Sequence, residues 1–390
     1  MKIPEFILLN TVCIGILFAQ TQPKDVQVID IAQIDKTRIL SAADRFLHEE
    51  PITITSSSST RSAGGKHDFF SESDYWWPDP KNPEGPYIRK DGMTNPGNFD
   101  EHRLAMRRFS IQVPALTAAY LITKDAKYAK QAMKHLRAWF VTEETRMNPT
   151  MRYAQAVKGV SIGRDVGIID ALHLVEVARS VMILEKAGMM SGEDPGTIKK
   201  WFNDYNTWLM TSKNGIDERD HINNHGTEWV LQVAVYAQLV NDKEKMDFCR
   251  KRFKEVLLKQ MGQDGSFPEE LARTKPYSYS IFNLDLLTAI CQVLSDENDD
   301  LFLFTLPDGR GMKNGMEFMY PFIADKTKWN HPPDVMYYEF FPNRQPCLLF
   351  AGLAYNEQRY LDLWSKLNPD PDNEEVIRNF PIRQPILWVK

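Results

Sequence analysis

The amino-acid sequence predicts an all-α protein with an (α/α) toroid fold, an incomplete barrel of six or seven helical hairpins. Apolar residues recur with the helical period of 3.6 from Arg103 onward, whereas the alternation typical of strands is scarce. The helices also come in pairs, in which a nearly all-apolar helix is followed by an amphipathic one. Two concentric rings require this order, because an inner helix is covered on both sides and an outer helix on one side only. An open helical solenoid would show a tighter sequence repeat than this chain does.

The composition of the chain limits its function. With 390 residues, of which 43% are apolar, the chain can bury a large core. Its net charge of -5 argues against a general nucleic-acid binder and against a polybasic membrane protein. We therefore expect no nucleic-acid partner, and any positive field that attracts a polyanionic ligand must be local.

Residues 1–19 have the pattern of a signal peptide. Lys2 supplies the short basic start, residues 6–18 are mostly apolar, and Ala19 ends a usable cleavage site. The apolar run is too short to span a bilayer, so we expect no membrane span. Cys13 lies in a poor context for lipid attachment. The sequence thus favours a periplasmic or secreted protein over a lipoprotein.

The rest of the chain is predicted to form one catalytic domain. Residues 20–34 are polar and read as a linker or N-terminal extension, and residues 35–390 as a single (α/α) toroid. Three widely spaced cysteines, Cys249, Cys291 and Cys347, make no disulfide scaffold. Cys291 and Cys347 lie in apolar runs and are expected to be buried thiols.

The helices can be placed in chain order from periodicity and capping residues. A first helix is expected at 35–48, followed by a Ser-, Gly- and Pro-rich stretch up to Phe99 that is too irregular for regular structure and therefore suggests function. Asp125 and Asp194 are expected to begin outer helices. The remaining predicted helices are 110–122, 166–184, 229–240, 243–259, 279–294, 315–323, 345–355 and 357–367.

One polar segment precedes the most apolar of these helices. Asn223, Asn224, His225 and Gly226 stand immediately before the run from Trp229. A helix amino end offers free N–H groups and a partial positive charge, which favours an anionic ligand beside Asn224 and His225. The alternative is structural, because asparagine is also among the best helix caps.

A second polar segment, residues 264–280, follows the third outer helix and should return to the same rim as Asn224. It holds one guanidinium, Arg273, and two phenols, Tyr277 and Tyr279. In the structural alternative, Arg273 pairs with Glu269 or Glu270 and both tyrosines pack in the loop.

Together these side chains suit β-elimination from a uronic acid. The proton on C5 of the sugar is weakly acidic until the neighbouring carboxylate is neutralised. Asn224 and Arg273 could neutralise it through hydrogen bonds that strengthen as charge develops. Either His225 or Tyr279 could take the C5 proton, and Tyr279 could protonate the departing O4. As a base, Tyr279 would need a lowered pKa, which nearby Arg273 would provide.

The chain resembles the alginate lyase family of polysaccharide lyases, which have (α/α) toroid folds. The resemblance extends over roughly residues 68–355. It is carried by four motifs: Asn223-Asn224-His225-Gly226, Glu270-Leu271-Ala272-Arg273-Thr274 with Tyr279-Ser280 behind it, Gly163-Arg164-Asp165-Val166-Gly167-Ile168-Ile169-Asp170, and Asp74-Tyr75-Trp76-Trp77-Pro78-Asp79-Pro80.

The resemblance implies an active site and a substrate class. It assigns catalysis to Asn224, His225, Arg273 and Tyr279, where Tyr279 rather than Tyr277 matches the pattern Tyr-Ser-x-x-Asn-Leu. The expected substrate is an anionic polysaccharide of uronic acids, either alginate, especially mannuronate-rich alginate, or glucuronan. The expected reaction needs no metal and no cofactor and leaves a 4,5-unsaturated uronate end.

Further polar and aromatic side chains are predicted to contact the substrate. Aromatic residues near prolines could stack on sugars or simply pack, and Arg164 could instead pair with Asp165 or Asp170. The predicted substrate-binding residues are Tyr75, Trp76, Trp77, Asn148, Tyr153, Gln155, Arg164, Asn223, Tyr277, Tyr338, Arg344 and Gln345.

Other functions were weighed against the lyase. His221 and His225, with Glu228, have the spacing of a zinc pair, but the metalloprotease motif needs Glu where Ile222 stands, so we expect no metal. A glycoside hydrolase on the same fold would need two positioned carboxylates. Asp165, Asp170, Asp264 and Glu269 are available for that role. The third possibility is an exported glycan-binding protein without catalysis, with the Trp-rich loop as its platform.

Overall fold

Fourteen α-helices and four short strands make up the regular structure of residues 29–389, the part of the chain that the computed structural model describes. The helices are α1 (Ile31–Phe46), α2 (Glu101–Thr123), α3 (Ala126–Phe140), α4 (Leu174–Lys186), α5 (Asp194–Thr211), α6 (Lys213–Arg219), α7 (Asn224–Val240), α8 (Lys243–Glu255), α9 (Pro268–Leu271), α10 (Pro276–Leu294), α11 (Met312–Ala324), α12 (Pro346–Ala354), α13 (Gln358–Lys366) and α14 (Glu374–Arg378). The strands are β1 (Phe70–Glu72), β2 (Trp76–Trp77), β3 (Ile88–Arg89) and β4 (Tyr153–Ala156). The signal peptide predicted at 1–19 lies outside the described residues, as does most of the predicted linker, whose last residues belong to α1.

The apolar helices α2, α4, α7, α10 and α12 form the inner row of the ring, each in contact with the next. The amphipathic helices pack against the outside of this row, and α1 packs on α2. Burial follows the pattern that the sequence predicts: α7 is buried on nearly all faces, whereas α13 buries only Tyr360, Leu361 and Trp364. The predicted (α/α) toroid is therefore confirmed. None of the described helices is both long and apolar enough to cross a membrane.

Several helix boundaries differ from the sequence prediction. The apolar run 166–184 is not one helix, because Asp165–Ala171 forms a 3-10 helix before α4 begins. In this segment Asp170 accepts a hydrogen bond from Ser71 at 2.6 Å and pairs with Arg103 at 3.2 Å. Helices α6 and α14 were not predicted, because helices of so few residues show no readable period.

The Gly- and Pro-rich stretch before α2 contains most of the few strands. β1 pairs in parallel with β4, and β2 pairs antiparallel with β3, so that Trp76 lies opposite Arg89. Turns connect these strands, as the high Gly and Pro content predicts. This arrangement carries Tyr75, Trp76 and Arg89 to the cavity described below.

The C-terminal segment, residues 373–389, is anchored on an inner helix by one buried carboxylate. Glu176 in α4 is fully buried. Its oxygens accept hydrogen bonds from the backbone N–H groups of Arg383 at 3.0 Å and Gln384 at 2.7 Å, and from Nε1 of Trp388 at 3.1 Å. Since three buried donors converge on one side chain, Glu176 holds the segment in place.

Replacing this carboxylate should destabilise the protein. We expect Glu176→Leu to lower the free energy of unfolding by about 2–3 kcal/mol, because it leaves buried N–H donors without partners. The matched control is Glu185→Gln on the same helix, whose partly exposed carboxylate pairs with Lys199 and should contribute little. Denaturant unfolding followed by circular dichroism measures both, and equal midpoints for Glu176→Leu and the wild type would contradict the assigned role.

Candidate active site

A cavity of about 230 Å³ opens at the amino ends of α7 and α10. The two polar segments singled out in the sequence meet here, because each precedes or begins an inner helix of the same ring. The residues that line the cavity are Ser73, Tyr75, Trp76, Arg89, Gln155, Arg164, Val166, Ile169, His221, Asn223, Asn224, His225, Arg273, Tyr279, Phe282, Arg378 and Asn379.

The start of α7 positions Asn224 and His225. Asn223 is the helix cap, and its side-chain oxygen accepts a hydrogen bond from the backbone N–H of His225 at 3.3 Å. Asn224 is held by Glu270, which accepts from its backbone N–H and from its Nδ2, both at 2.7 Å. Only one of the two Nδ2 hydrogens is needed for this contact, so the other is available to a ligand. Gly226 is required next, because a Cβ there would lie 2.1 Å from the carbonyl oxygen of His221.

Arg273 stands over the ring of Tyr279, with its guanidinium carbon 5.0 Å from the ring centre. It does not pair with Glu269 or Glu270, as the structural alternative supposed. Instead its Nη2 lies 3.0 Å from Oδ1 of Asp91, and its Nε donates to the other oxygen at 3.3 Å. Although burial opposes ionisation, these bonds keep the pKa of Asp91 at about 2. The carboxylate therefore fixes the orientation of the guanidinium.

Tyr279 is a protonated phenol in this environment. Its hydroxyl lies 2.7 Å from that of Tyr75, which in turn lies 3.4 Å from Nζ of Lys275. Burial, followed by the charge effect of Tyr75, raises the pKa of Tyr279 well above its usual value, and the opposing effects of Lys275 and Arg273 are smaller. Arg273 lowers this pKa as expected, but burial outweighs its effect, so Tyr279 does not reach the lowered pKa that a tyrosine base would need. At neutral pH the phenol keeps its proton and is suited to act as an acid.

His225 is the complementary group. Its Nδ1 lies 2.6 Å from Oε1 of Glu218, which is fully buried. Burial, together with the charges of His221 and Arg273, lowers the pKa of His225 to about 4. The imidazole is therefore neutral at neutral pH and can accept a proton. A site that pushes the pKa values of two groups apart in this way separates the base from the acid.

The wall of the cavity is rich in positive charge. It includes four arginines, Arg89, Arg164, Arg273 and Arg378, and among the described residues it includes no Asp or Glu. Arg164 donates to Oγ of Ser73 at 3.1 Å and lies 5.9 Å from the ring centre of Trp76. Asp91 pairs with both Arg89 and Arg273, and Asp74 pairs with Arg378, so in the described part of the chain the charge of Arg164 is the part of this positive field left uncompensated for a polyanionic ligand.

Arg164 does not pair with Asp165 or Asp170, the structural alternative for it. Asp165 pairs instead with His221, at 2.9 Å from its Nε2. Asp170 pairs with Arg103. Within residues 29–389, Arg164 forms no ion pair, so its charge is available to a ligand in the cavity.

Sequence reasoning missed four polar residues of the wall, of which Ser73 directly follows β1. Arg89 comes from the two-residue strand β3, and Arg378 and Asn379 come from the end of α14. Nζ of Lys275 holds α14 near the cavity through Glu375 at 2.8 Å, and Arg378 pairs with Asp74 at 2.6 Å. No sequence motif marks these positions: Arg89 reaches the cavity through the pairing of β3 with β2, and Arg378 and Asn379 through the packing of the C-terminal segment.

Three predicted substrate contacts, Trp77 in β2, Tyr153 in β4 and Asn148, are not part of the cavity wall. Nε1 of Trp77 donates to the backbone of Met93 at 2.8 Å. Nδ2 of Asn148 donates to Asp68 at 2.8 Å. The ring of Tyr153 packs on a small cluster of Phe70, Phe99 and Ala156. None of the three belongs to the wall of the cavity, and their contact with a substrate stays a prediction.

Four other predicted contacts also lie outside the wall of the cavity. Tyr277 is buried and its hydroxyl donates to the backbone of Phe322 at 2.9 Å. Tyr338 packs edge-on against Tyr277 and over Nζ of Lys326. Arg344 pairs with Asp35 at 2.6 Å, and the amide of the buried Gln345 bonds to Asp285. Arg344 and Gln345 precede the inner helix α12 as Asn224 begins α7, but their partners are structural.

Two groups of side chains within residues 29–389 could hold a metal ion. They are Asp165, Glu218 and His221, and Glu218, His225 and Glu228, with ligand atoms within 4.8 Å of one another in each group. That the protein uses no metal and no cofactor stays a prediction.

Comparisons with known proteins agree with this fold. The model of the alginate lyase family matches residues 53–329. An alginate lyase from Bacteroides ovatus is similar over 90% of this chain and 93% of its own, with 28% sequence identity and a TM-score of 0.77. Alginate lyase A1-III from Sphingomonas species A1 is similar over 90% of this chain and 94% of its own, with 15% identity and a TM-score of 0.53.

A variant of A1-III complexed with a tetrasaccharide is similar over 91% of this chain and 94% of its own, with 15% identity and a TM-score of 0.57. At 15% identity, the A1-III structures show the fold alone. A search of curated protein sequences found no match.

Proposed function

The chain belongs to the alginate lyase family and is a polysaccharide lyase, and from this premise we propose that it cleaves a uronic-acid polymer by metal-independent β-elimination. We take the substrate to be alginate, especially mannuronate-rich alginate, or glucuronan. The observation that supports the mechanism most is that a neutral imidazole, a protonated phenol and a guanidinium meet in one positively charged cavity. The family name and the tetrasaccharide in the A1-III complex support a polysaccharide chain as the ligand.

The reaction begins with the sugar carboxylate. Arg273 and the free Nδ2 hydrogen of Asn224 bind and partly neutralise it, which makes the C5 proton more acidic. His225 takes this proton, and the electron pair of the C5–H bond forms the C4=C5 double bond while the bond from C4 to the leaving oxygen breaks. Tyr279 gives its proton to that oxygen. The products are a new polymer end and a 4,5-unsaturated uronate.

After cleavage, the proton taken up by His225 replaces the one lost by Tyr279. The phenolate left on Tyr279 is stabilised by a hydrogen bond from the hydroxyl of Tyr75, 2.7 Å away, and by the charge of Arg273 over its ring. Return of the proton through solvent restores the starting state. The enzyme therefore needs no external reactant for the elimination itself.

A glycoside hydrolase mechanism fits the cavity less well. It needs two carboxyl groups on either side of the scissile bond, and no Asp or Glu belongs to the described wall of the cavity. Of the four candidates, Asp170 is buried against Arg103, Asp165 is paired with His221, Asp264 lines a different groove beside Phe318, and Glu269 is exposed outside the cavity wall. β-Elimination needs an imidazole, a phenol and a guanidinium, and all three line the cavity.

We propose a periplasmic or secreted location, which the apolar N-terminal pattern of residues 1–19 supports. An extracellular polymer is accessible to an enzyme in such a compartment.

The substrate and the metal requirement can be tested together. We expect incubation with alginate, polymannuronate blocks, polyguluronate blocks and glucuronan to give the ultraviolet absorbance of the unsaturated product with at least one uronate polymer, and to give more with polymannuronate than with polyguluronate. A chelator should leave the rate unchanged. Neutral reducing sugars without that absorbance would favour hydrolysis, and loss of activity on chelation, restored by zinc, would refute metal independence.

A further inference from the structure

Two buried carboxyls, those of Glu218 and Glu228, lie next to His225, and each has one oxygen without a hydrogen-bond partner. Both residues are fully buried. The unpartnered atoms are Oε2 of Glu218 and Oε1 of Glu228. Atoms of the two carboxyls lie within 4.8 Å of each other and of a ring nitrogen of His225. Two carboxylates this close in a buried site cannot both be ionised, so the pair holds at least one proton.

The direction of the hydrogen bonds in this cluster is fixed by Gln232. The backbone carbonyl oxygen of Ile168 lies 3.2 Å from the Gln232 side chain. A carbonyl oxygen only accepts, so the atom facing it is the Nε2 amide. The same Nε2 donates to Oε2 of Glu228, which is therefore an acceptor. The oxygen of Glu228 left to carry a hydrogen is Oε1, which is also the one without a partner.

We propose that Glu228 is a permanently protonated carboxylic acid that donates to Glu218, and that this bond keeps Glu218 ionised and His225 in the tautomer with its hydrogen on Nδ1. The inference rests on the proposed function, in which His225 is the base. One proton on Oε1 of Glu228 gives both unpartnered oxygens a partner at once. Oε1 of Glu218 then accepts from Nδ1 of His225, at 2.6 Å. The other nitrogen, Nε2, is left without a hydrogen and can take the C5 proton.

The electrostatics of the cluster agree with this placement of the proton. Burial raises the pKa of both carboxyls. The charge of Glu218 raises the pKa of Glu228 further. Other charged groups face Glu218 rather than Glu228: His221, 3.6 Å from its Oε2, and beyond it Asp165 and Arg164.

Loss of the donor from Glu228 would reverse the tautomer of His225. Without the hydrogen bond from Glu228, an ionised Glu218 would be a buried carboxylate whose Oε2 has no partner. Because such a charge is costly to bury, Glu218 would take up a proton itself. That proton would be donated to Nδ1, and the ring hydrogen would move to Nε2, where it blocks the basic nitrogen. Glu228 does not line the cavity, so it acts through Glu218 and His225 as a positioning residue.

A divalent cation held by Glu218, His225 and Glu228 is the rival explanation of the unpartnered oxygens. Two carboxylates and one imidazole are a suitable donor set for zinc. In that case Glu228 would have to be ionised, and an amide could not replace it. The same substitution therefore separates the two explanations.

Two variants of Glu228 test the proposal. Glu228→Gln keeps a donor toward Glu218 and an acceptor for Gln232, so we expect its kcat to stay near that of the wild type. Glu228→Leu keeps a similar volume but removes the donor, so we expect kcat to fall roughly 10- to 100-fold, part of the effect of losing a general base. KM should change little in either variant. Metal analysis of the wild type and of Glu228→Gln should find no stoichiometric ion.

The tautomer of His225 provides a readout that does not depend on turnover. In protein labelled with nitrogen-15 histidine, the His225 signals are those missing from His225→Ala. At neutral pH we expect the ring hydrogen on Nδ1 in the wild type and in Glu228→Gln, and on Nε2 in Glu228→Leu. If no polymer is cleaved but the wild-type tautomer is as stated, the proposed function fails and the proton assignment stands.

Three results would overturn the assignment of the proton. One is a ring hydrogen on Nε2 in the wild type, which can be measured even if Glu228→Leu does not fold. The second is a Glu228→Gln variant that is as impaired as Glu228→Leu. The third is one equivalent of metal per chain that Glu228→Gln loses.

Discussion

Replacing Tyr279 by phenylalanine is expected to lower kcat by roughly 10²- to 10⁴-fold, because it removes the acid that protonates the leaving oxygen. The ring remains, with Arg273 above it, so binding of the sugar carboxylate and KM should change little. Initial rates of ultraviolet absorbance at saturating polymer measure the effect.

The matched control is Tyr277→Phe, two residues earlier on α10. The hydroxyl of Tyr277 donates to the backbone of Phe322 and lies outside the cavity, so its removal should leave kcat near the wild-type value. The pair of variants also decides which phenol is catalytic. A wild-type rate in Tyr279→Phe, or a large loss in Tyr277→Phe with the melting temperature unchanged, would show that the acid is assigned to the wrong residue.

Removal of the base should have an effect of similar size. We expect His225→Ala to lower kcat/KM by roughly 10²- to 10⁴-fold at neutral pH, because no other neutral group in the cavity is positioned to take the C5 proton. The exposed His48, just after α1, serves as a control for the loss of a histidine, and His48→Ala should be indistinguishable from the wild type.

The pH dependence of the wild type tests the same assignment. Since burial lowers the pKa of His225 to about 4, the basic form is present above that pH and is lost as the pH falls through it. Therefore kcat/KM, which reports on the free enzyme, should be flat from neutral pH down to about 5 and then fall. A decline centred near the ordinary histidine pKa of about 6.5 would mean that the imidazole is not desolvated as the structure has it.

The sequence predicts both the ring of helices and the proximity of the two polar segments, those of Asn224 and Arg273, for a clear physical reason. The alternation of apolar and amphipathic helices determines which helices lie inside, and residues at the amino ends of inner helices share one end of the ring. Asn224, His225 and Tyr279 follow from this rule. Arg344 and Gln345 satisfy the same rule but are not in the cavity, because Asp35 and Asp285 bind them instead.

Two other features depend on tertiary structure and could not be predicted. Arg378 and Asn379 reach the cavity on a helix too short to have a readable period, and their position depends on contacts with residues far away in the chain. The raised pKa of Tyr279 is the second, because a neighbouring arginine can be read from the sequence but complete burial cannot. The sequence shows which charged residues are present, but it shows neither how deeply a side chain is buried nor which distant segments pack beside it.

The C-terminal segment, anchored by Glu176 and carrying Arg378 and Asn379, sets the order in which the catalytic centre is completed. Every other part of the cavity wall is synthesised earlier, and these two residues leave the ribosome last among them. The wall of the cavity is therefore complete only when the C-terminal segment has docked on α4.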